Sequence, residues 1–325
     1  MSVSRSSRTA FLIVGDADFF PGVLAATASV RVFHPGDEVW IIDNHLQRIG
    51  LTAEQHVALQ RMNAVIVPAS ALAKQGRKLA AWELKAYAAE FLASQCGLLV
   101  GLDADAVLCA PLFDVLGRAW EKDVFLGGLD GCPEYGEEYC IYGIQPPIKN
   151  ERYMSTSLYL CRTSAPITDI LATWAECCAK SVFGGTGKYP GHGDQGVLNA
   201  IIFSRSDRVT VEVMENDLWS QHGVYWQRPL ELRAGRLFNL TLQTWQRAIH
   251  CGGTEKFWRP QHATMLPKFP HALANYLWFL HMLETGIHAA GCHSRQLLRE
   301  WPHLVQDISR YVAEMEALRD SRCTE

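Results

Sequence analysis

"LLVGLDADAVLC", Leu98 to Cys109, runs through apolar residues into two aspartates one residue apart, Asp103 and Asp105. A short continuous apolar run of this kind reads as a strand buried on both faces, the mark of a parallel sheet covered by helices. The preceding chain has the same rhythm. "TAFLIV", "EVWIID" and "AVIVP" read as strands, ending near Val14, Asp43 and Pro68. Helices alternate with them: "PGVLAATASVRVF", opened by Pro21, "TAEQHVALQRM", capped by Thr52, and "GRKLAAWELKAYAAEFLA", with Leu79, Trp82, Tyr87 and Phe91 as its buried stripe. This alternation predicts an α/β, Rossmann-like fold with a mostly parallel central sheet flanked by helices. Ligands bind such sheets at the carboxyl ends of strands, where Asp16, Asp43 and Asp103 stand.

At 325 residues the chain can bury one large core, with or without an appendage. A formal net charge of -4 provides no basic footprint, so nucleic acid is not an expected partner. The ten cysteines are scattered and form no CxxC pair, and Cys96, Cys109 and Cys161 lie inside apolar runs. Buried free thiols in a reducing compartment account for them. The opening "MSVSRSSRTAFLIVG" has too short an apolar run for a secretory leader, and no run reaches the 18 or so residues of a membrane span. A cytoplasmic location is the expectation.

From Asp130 to Tyr153, "DGCPEYGEEYCIYGIQPPIKNERY" has no steady period and reads as a long loop, a candidate acceptor-binding lid. "MSTSLYLC" and "RVTVEVM" read as strands, "ITDILATWAECCAK" and "DQGVLNAIIF" as helices. After about Lys268 the chain is predicted helical to its end. "HALANYLWFLHMLETGIHAAG" is apolar enough to admit three readings: packing on the main sheet, a homodimer interface, or peripheral membrane contact. A catalytic unit over 8–265 and a helical extension over 266–325, packed on it or mediating association, are therefore expected.

In extended backbone Asp103 and Asp105 would point the same way, because side chains repeat every two residues. Two such carboxylates repel and call for a positive partner. Oxygen ligands suit Mg2+ or Mn2+, and an ion held by few protein ligands keeps open positions for phosphate oxygens. Taken alone, the motif reads equally as two solvated aspartates at a strand end. "HCGGTEKFW", His250 to Trp258, offers an imidazole that could complete a metal shell, glycines that admit close approach, and Lys256 as a point charge for phosphate. Its plainer reading is a turn with a solvated lysine. In "YPGHGDQGVLN", Asp194 and Gln195 open a helix, where Asp194 could serve only as the cap, and His192 reads as structural.

Together these segments resemble the retaining GT-A glycosyltransferases of the glycogenin and lipopolysaccharide-galactosyltransferase kind. "LDAD" matches the family's DxD, "HGDQGVLN" its D-Q-x-x-L-N segment, and His250 to Trp258 its H-x-x-G-x-x-K-x-W pattern, with Phe257 where proline is usual. "VGDADFFPGVLAATASV" is similar to the nucleotide-binding start. The likeness covers roughly residues 10 to 260. It implies a GT-A fold and transfer of a sugar from a UDP-sugar to an acceptor hydroxyl with retention of configuration. The resemblance implies Mn2+ (or Mg2+) on Asp103, Asp105 and His250, with Asp103 also near the ribose. Lys256 and Gly253 would hold the diphosphate, and Asp16 would meet the uracil or its ribose. Asp194 and Gln195 would lie beside the anomeric carbon. Relatives often carry N-[AS]-G where this chain has Ser155-Thr156-Ser157, which places Ser155 near the donor. They also carry an arginine on the helix before the DxD, where Lys85 is the nearest substitute. The acceptor stays open among a glycan, a lipid-linked glycan, a protein and a small molecule.

Two rival functions differ in their sequence demands. A sugar-phosphate nucleotidyltransferase often has a basic Gly-rich loop after its first strand, whereas "GDADFFPG" has no Arg or Lys there. A catalytically silent nucleotide-sugar-binding or scaffold protein need not keep Asp103, Asp105, His250 and Lys256 together.

Overall fold

Among the described residues, seven strands form the central sheet in the order β3-β2-β1-β4-β7-β6-β8. They are β1 (Thr9–Gly15), β2 (Glu38–Asp43), β3 (Ala64–Pro68), β4 (Leu98–Leu102), β6 (Val124–Leu129), β7 (Met154–Arg162) and β8 (Thr210–Met214). The computed structural model describes residues 8–46, 48–72, 81–121, 123–129, 153–180, 193–214, 221–222, 230–233, 236–252, 256–260 and 270–322. The strands β3, β2, β1 and β4 are mutually parallel, β6 and β8 pair parallel, and β7 runs antiparallel between β4 and β6. Strand order reverses direction at β1 and β4, so the crevice beyond their carboxyl ends is the place where such sheets take ligands.

Both faces of the sheet are covered, as the near-continuous apolar strands require. Phe11, Ile13, Leu98 and Val100 enter one apolar cluster, while Ala10, Leu12 and Leu99 enter the other. The first face is covered by α1 (Phe20–Phe33), α2 (Ala53–Arg61) and the C-terminal helices; α3 (Ala81–Ala93), α5 (Ala165–Lys180) and α6 (Gly193–Ser204) cover the second. Helix α4 (Phe113–Glu121) precedes β6. Pro21 stands in the first turn of α1. Thr52 caps α2 through a reciprocal box with Gln55, each satisfying a backbone N–H of the other. Of the stripe expected on α3, Tyr87 is buried and Phe91 half-buried. Leu79 and the side chain of Trp82 lie outside the described residues.

Two smaller sheets are found among the described residues. β5 (Ala106–Leu108) pairs antiparallel with β13 (Ala248–His250), which also pairs with β9 (Gln221–His222). β10 (Leu230–Arg233), β11 (Arg236–Asn239) and β12 (Thr244–Trp245) form an antiparallel sheet. Sequence periodicity did not reveal β5 or β13, since a three-residue strand carries less than two periods of pattern.

The C-terminal helices are α7 (Pro270–Ala289), α8 (Ser294–Leu297) and α9 (Pro302–Arg322). α7 lies against α1, with Trp278, Phe279 and Leu283 in the same apolar cluster as Phe20 and Leu24. The Trp278 indole N–H donates to the Leu108 carbonyl at 2.9 Å, and Arg61 reaches the Ala290 carbonyl at 3.0 Å. No described helix is long and apolar enough to cross a membrane. The described cysteines are free thiols, six of them buried.

Candidate active site

The two aspartates do not sit on extended backbone. β4 ends at Leu102, and Asp103 to Ala106 form a turn in which the Ala106 N–H donates to the Asp103 carbonyl at 2.9 Å. The two-residue period expected of a strand therefore does not apply here. A turn brings the carboxylates together instead, and its ends are fixed by neighbours: Asp103 N–H donates to the Ser157 carbonyl at 2.9 Å, Cys251 N–H to the Asp105 carbonyl at 3.0 Å. The β5–β13 pairing places His250 opposite Ala106, and this register carries the imidazole to the aspartates across more than a hundred residues of chain.

His250 Nε2 lies 3.3 Å from Asp105 Oδ1 and 4.0 Å from Asp103 Oδ2. Ligand atoms of the three residues all fall within 4.8 Å of one another. At metal–ligand bonds of about 2.1 Å, octahedral neighbours stand about 3.0 Å apart and opposite ligands about 4.2 Å. Two carboxylates and one imidazole thus suit a hard divalent ion in both donor type and separation.

Two lysines flank this cluster. Lys256 makes an ion pair with Asp105 Oδ2 and donates to the Cys251 carbonyl at 3.1 Å. Burial alone would raise the Asp105 pKa, but His250 and Lys256 hold it well below the usual carboxylate range. Burial opposes the charge on Lys256, yet Asp105 keeps its pKa above the ordinary lysine value. On the other side Lys85 Nζ donates to Asp103 Oδ1 at 2.5 Å and to the Thr156 carbonyl at 2.7 Å, and lies 3.9 Å from Asp194 Oδ2. Its pKa is likewise raised, burial being outweighed by Asp103 and Asp194.

Asp194 stands in the first turn of α6, and Trp174 fixes that turn by donating from its indole to the Asp194 carbonyl at 2.8 Å. Burial pushes the Asp194 carboxyl up to about 6, with Lys85 opposing the rise and Asp103 adding to it. Gln195 Oε1 accepts from Thr156 N–H at 2.9 Å. Asn199, one turn later and fully buried, accepts from Met154 N–H at 2.7 Å and donates to the carbonyls of Met154 and Gln195 at 2.7 and 2.8 Å. The helix start and β7 are therefore one locked unit.

A cavity of about 320 Å³ joins these groups; Asp16, Asn44, Asp103, Asp105, Asp194 and Lys256 are among its walls, with Lys85, Gln195 and Thr156 beside them. Asp16 accepts from Phe19 N–H at 3.2 Å, and burial raises its pKa against that hydrogen bond and Arg48 at 3.8 Å. Ser155 is not at the wall: its hydroxyl pairs with Ser157 at 2.9 Å, and Thr156 faces the cavity in its place. Alternation along β7 accounts for the exchange. Asp43 turns away to accept from Leu51 N–H at 3.0 Å and contact His56 at 3.2 Å, bracing the β2–α2 connection. Gly253, His192 and most of 130–153 lie outside the described residues. Sequence reading missed Phe19, Asn44 and Thr156; Asn44 was signalled only by following the acid that ends β2.

The sheet order with its single antiparallel insertion, the DxD turn and the added C-terminal helices define a GT-A, Rossmann-like fold. Comparison with one solved structure, that of WbbM, agrees in fold. WbbM, described as a bifunctional glycosyltransferase, is similar at 14% identity and a TM-score of 0.57 over 87% of this chain. This chain spans 50% of the length of WbbM. The galactosyltransferase LgtC, in complex with donor and acceptor sugar analogues, is similar at 14% identity and a TM-score of 0.48, over 85% of this chain and 95% of that one. The glycosyltransferase GlyE of Streptococcus pneumoniae TIGR4 is similar at 12% identity and a TM-score of 0.49, over 91% of this chain and 63% of that one. No protein-family model matches the sequence, and no curated protein matches it.

Proposed function

We propose that the protein is a metal-dependent glycosyltransferase that moves a hexose from a UDP-sugar to an acceptor hydroxyl with retention of configuration, residues 8–265 forming the catalytic unit. The observation that carries this reading is one cavity lined by Asp103, Asp105 and Lys256 with carboxylates on either side, Asp16 and Asp194, and with His250 set against the two central aspartates. The strand ends supply the layout. Asn44 follows β2, Asp16 follows β1, Asp103 follows β4, and Thr156 lies in β7, so consecutive neighbours span about 14 Å at 4.8 Å per strand. A nucleotide sugar laid across these ends would meet Asp16 with its nucleoside, the metal cluster with its diphosphate, and Asp194 and Gln195 with its sugar.

Mn2+ or Mg2+ on Asp103, Asp105 and His250 would supply Lewis-acid stabilisation of the departing diphosphate. Lys256 supplies a fixed charge at the same place, most useful where negative charge grows in the transition state. Lys85 ties the Asp103 carboxylate to the Asp194 side of the cavity, so the metal cluster and the sugar end hold a fixed spacing. Asp194, when ionised, faces the positive charge that develops on the sugar ring, and Gln195 orients that ring while fixed to Thr156. Because an amide is a poor nucleophile and Asp194 is engaged with Lys85, attack by the acceptor on the leaving-group face, its proton passing to the departing phosphate, is the favoured route to retention.

Calorimetric titration with UDP tests the clamp. Binding should require Mn2+ and weaken in both Asp105→Ala and Lys256→Ala. Equal affinity with and without the ion would remove the metal from the account.

A further inference from the structure

We propose that the C-terminal helices act as the back plate of the metal–diphosphate clamp, with His303 and Phe279 as positioning residues for Lys256. The proposal rests on the reading of Lys256 as a diphosphate ligand given above. Three contacts from the C-terminal helices converge on Lys256–Trp258. The Phe257 ring stacks on Phe279 of α7 at 5.0 Å between centroids and 20° between planes. Trp258 tilts against the same ring at 6.2 Å and meets Phe19, a cavity wall residue, edge-on at 5.3 Å. The His303 Nε2–H of α9 donates to the Trp258 carbonyl at 3.1 Å. One residue before Phe279, Trp278 holds the Leu108 carbonyl of β5, the strand that leaves the Asp103–Asp105 turn. Adjacent side chains of one helix thus grip both segments from which the site is built.

The lock is itself braced. The Tyr276 hydroxyl donates to Asp307 at 2.6 Å, tying α7 to α9 on the turn that follows His303. Phe257 and Trp258 are each almost wholly buried, so this segment cannot shift without opening the core. Phe257 occupies the position where the resembled pattern has proline. Proline stiffens a backbone by its ring; here a side chain buried against another helix fixes the lysine from outside the segment.

Hydrogen exchange on the full-length protein, read over residues 251–260, is the direct test, combined with Mn2+-dependent UDP titration. His303→Ala should speed exchange there and weaken UDP binding roughly fivefold, the scale of one lost hydrogen bond. His303→Gln, whose amide keeps a donor in place of Nε2–H, should restore both. Phe279→Leu should act in the same direction while keeping an apolar side chain of similar size in the core. In a Lys256→Ala background neither substitution should affect UDP further, since the effect passes through the lysine. Unchanged exchange in His303→Ala would overturn the proposal. So would faster exchange with unchanged UDP affinity where Lys256→Ala alone weakens it. If Lys256→Ala leaves UDP affinity intact, the assignment of Lys256 to the diphosphate fails, while the exchange result still decides whether α7 and α9 hold the segment.

Discussion

Lys85 is the residue on which the two halves of the cavity depend. Its ammonium is nearly buried between Asp103 and Asp194, and removing one partner of such a pair leaves the others uncompensated, at a cost of about 3 kcal/mol. Lys85→Met is therefore expected to lower stability by about that amount in urea denaturation and to depress turnover; stability within 0.5 kcal/mol of the parent, on the order of a neutral surface change, would show that the carboxylates do not need it. Asp194 sets the pH response. Its carboxyl is pushed up to about 6 by burial, and the ionised form is the one that faces positive charge. Turnover should accordingly fall as pH drops through about 6, and the residual activity of Asp194→Asn should lack that acid limb when both pH–rate profiles are compared. The residue types of the cluster were legible in the sequence because aspartate, histidine and lysine beside glycine have few joint uses. Ser155 and Thr156 could not be told apart for a local reason: three similar hydroxyl residues in a row give no sign of which one the pleat turns toward the cavity.

Among the elements, α1 shows how a helix can seat a loop. At Gly22 an added Cβ would collide with the Ala104 carbonyl, between the two aspartates, and with the Trp258 ring. Gly22→Ala forces one of them to move, and overpacking of this kind costs about 1–3 kcal/mol. The upper end is expected, since one obstacle is backbone, with weakened Mn2+ binding by electron paramagnetic resonance as the site-specific sign. Unaltered Mn2+ affinity would mean that α1 does not seat the turn. The strands and helices of the first half were legible because buried parallel strands are apolar runs and α1 and α2 have clear starts at Pro21 and Thr52. The DxD turn was not, since two alternate aspartates are compatible with strand or turn, and only the Asp103–Ala106 hydrogen bond chooses. Nor was the β5–β13 pairing, which joins residues distant in sequence through three-residue strands.

For the whole molecule, the apolar C-terminal segment admitted three readings from sequence, and the inward contacts of Trp278, Phe279 and Leu283 show it packed on α1 and the main core. Periodicity could not separate these readings, because a helix apolar on most of its surface points nowhere in particular. The fold class itself was legible from strand–helix alternation, and that class directs the search for a ligand site to the carboxyl ends of the strands. The central claim, metal-assisted transfer from a nucleotide sugar, is tested most directly by nucleotide release from a panel of UDP-, GDP- and dTDP-sugars with Mn2+. One donor, expected to be a UDP-hexose, should turn over slowly without acceptor. That turnover should stop on chelation and fall about a hundredfold or more in Asp105→Ala and Lys256→Ala. Release that persists in both variants, or that is indifferent to the ion, would contradict the account.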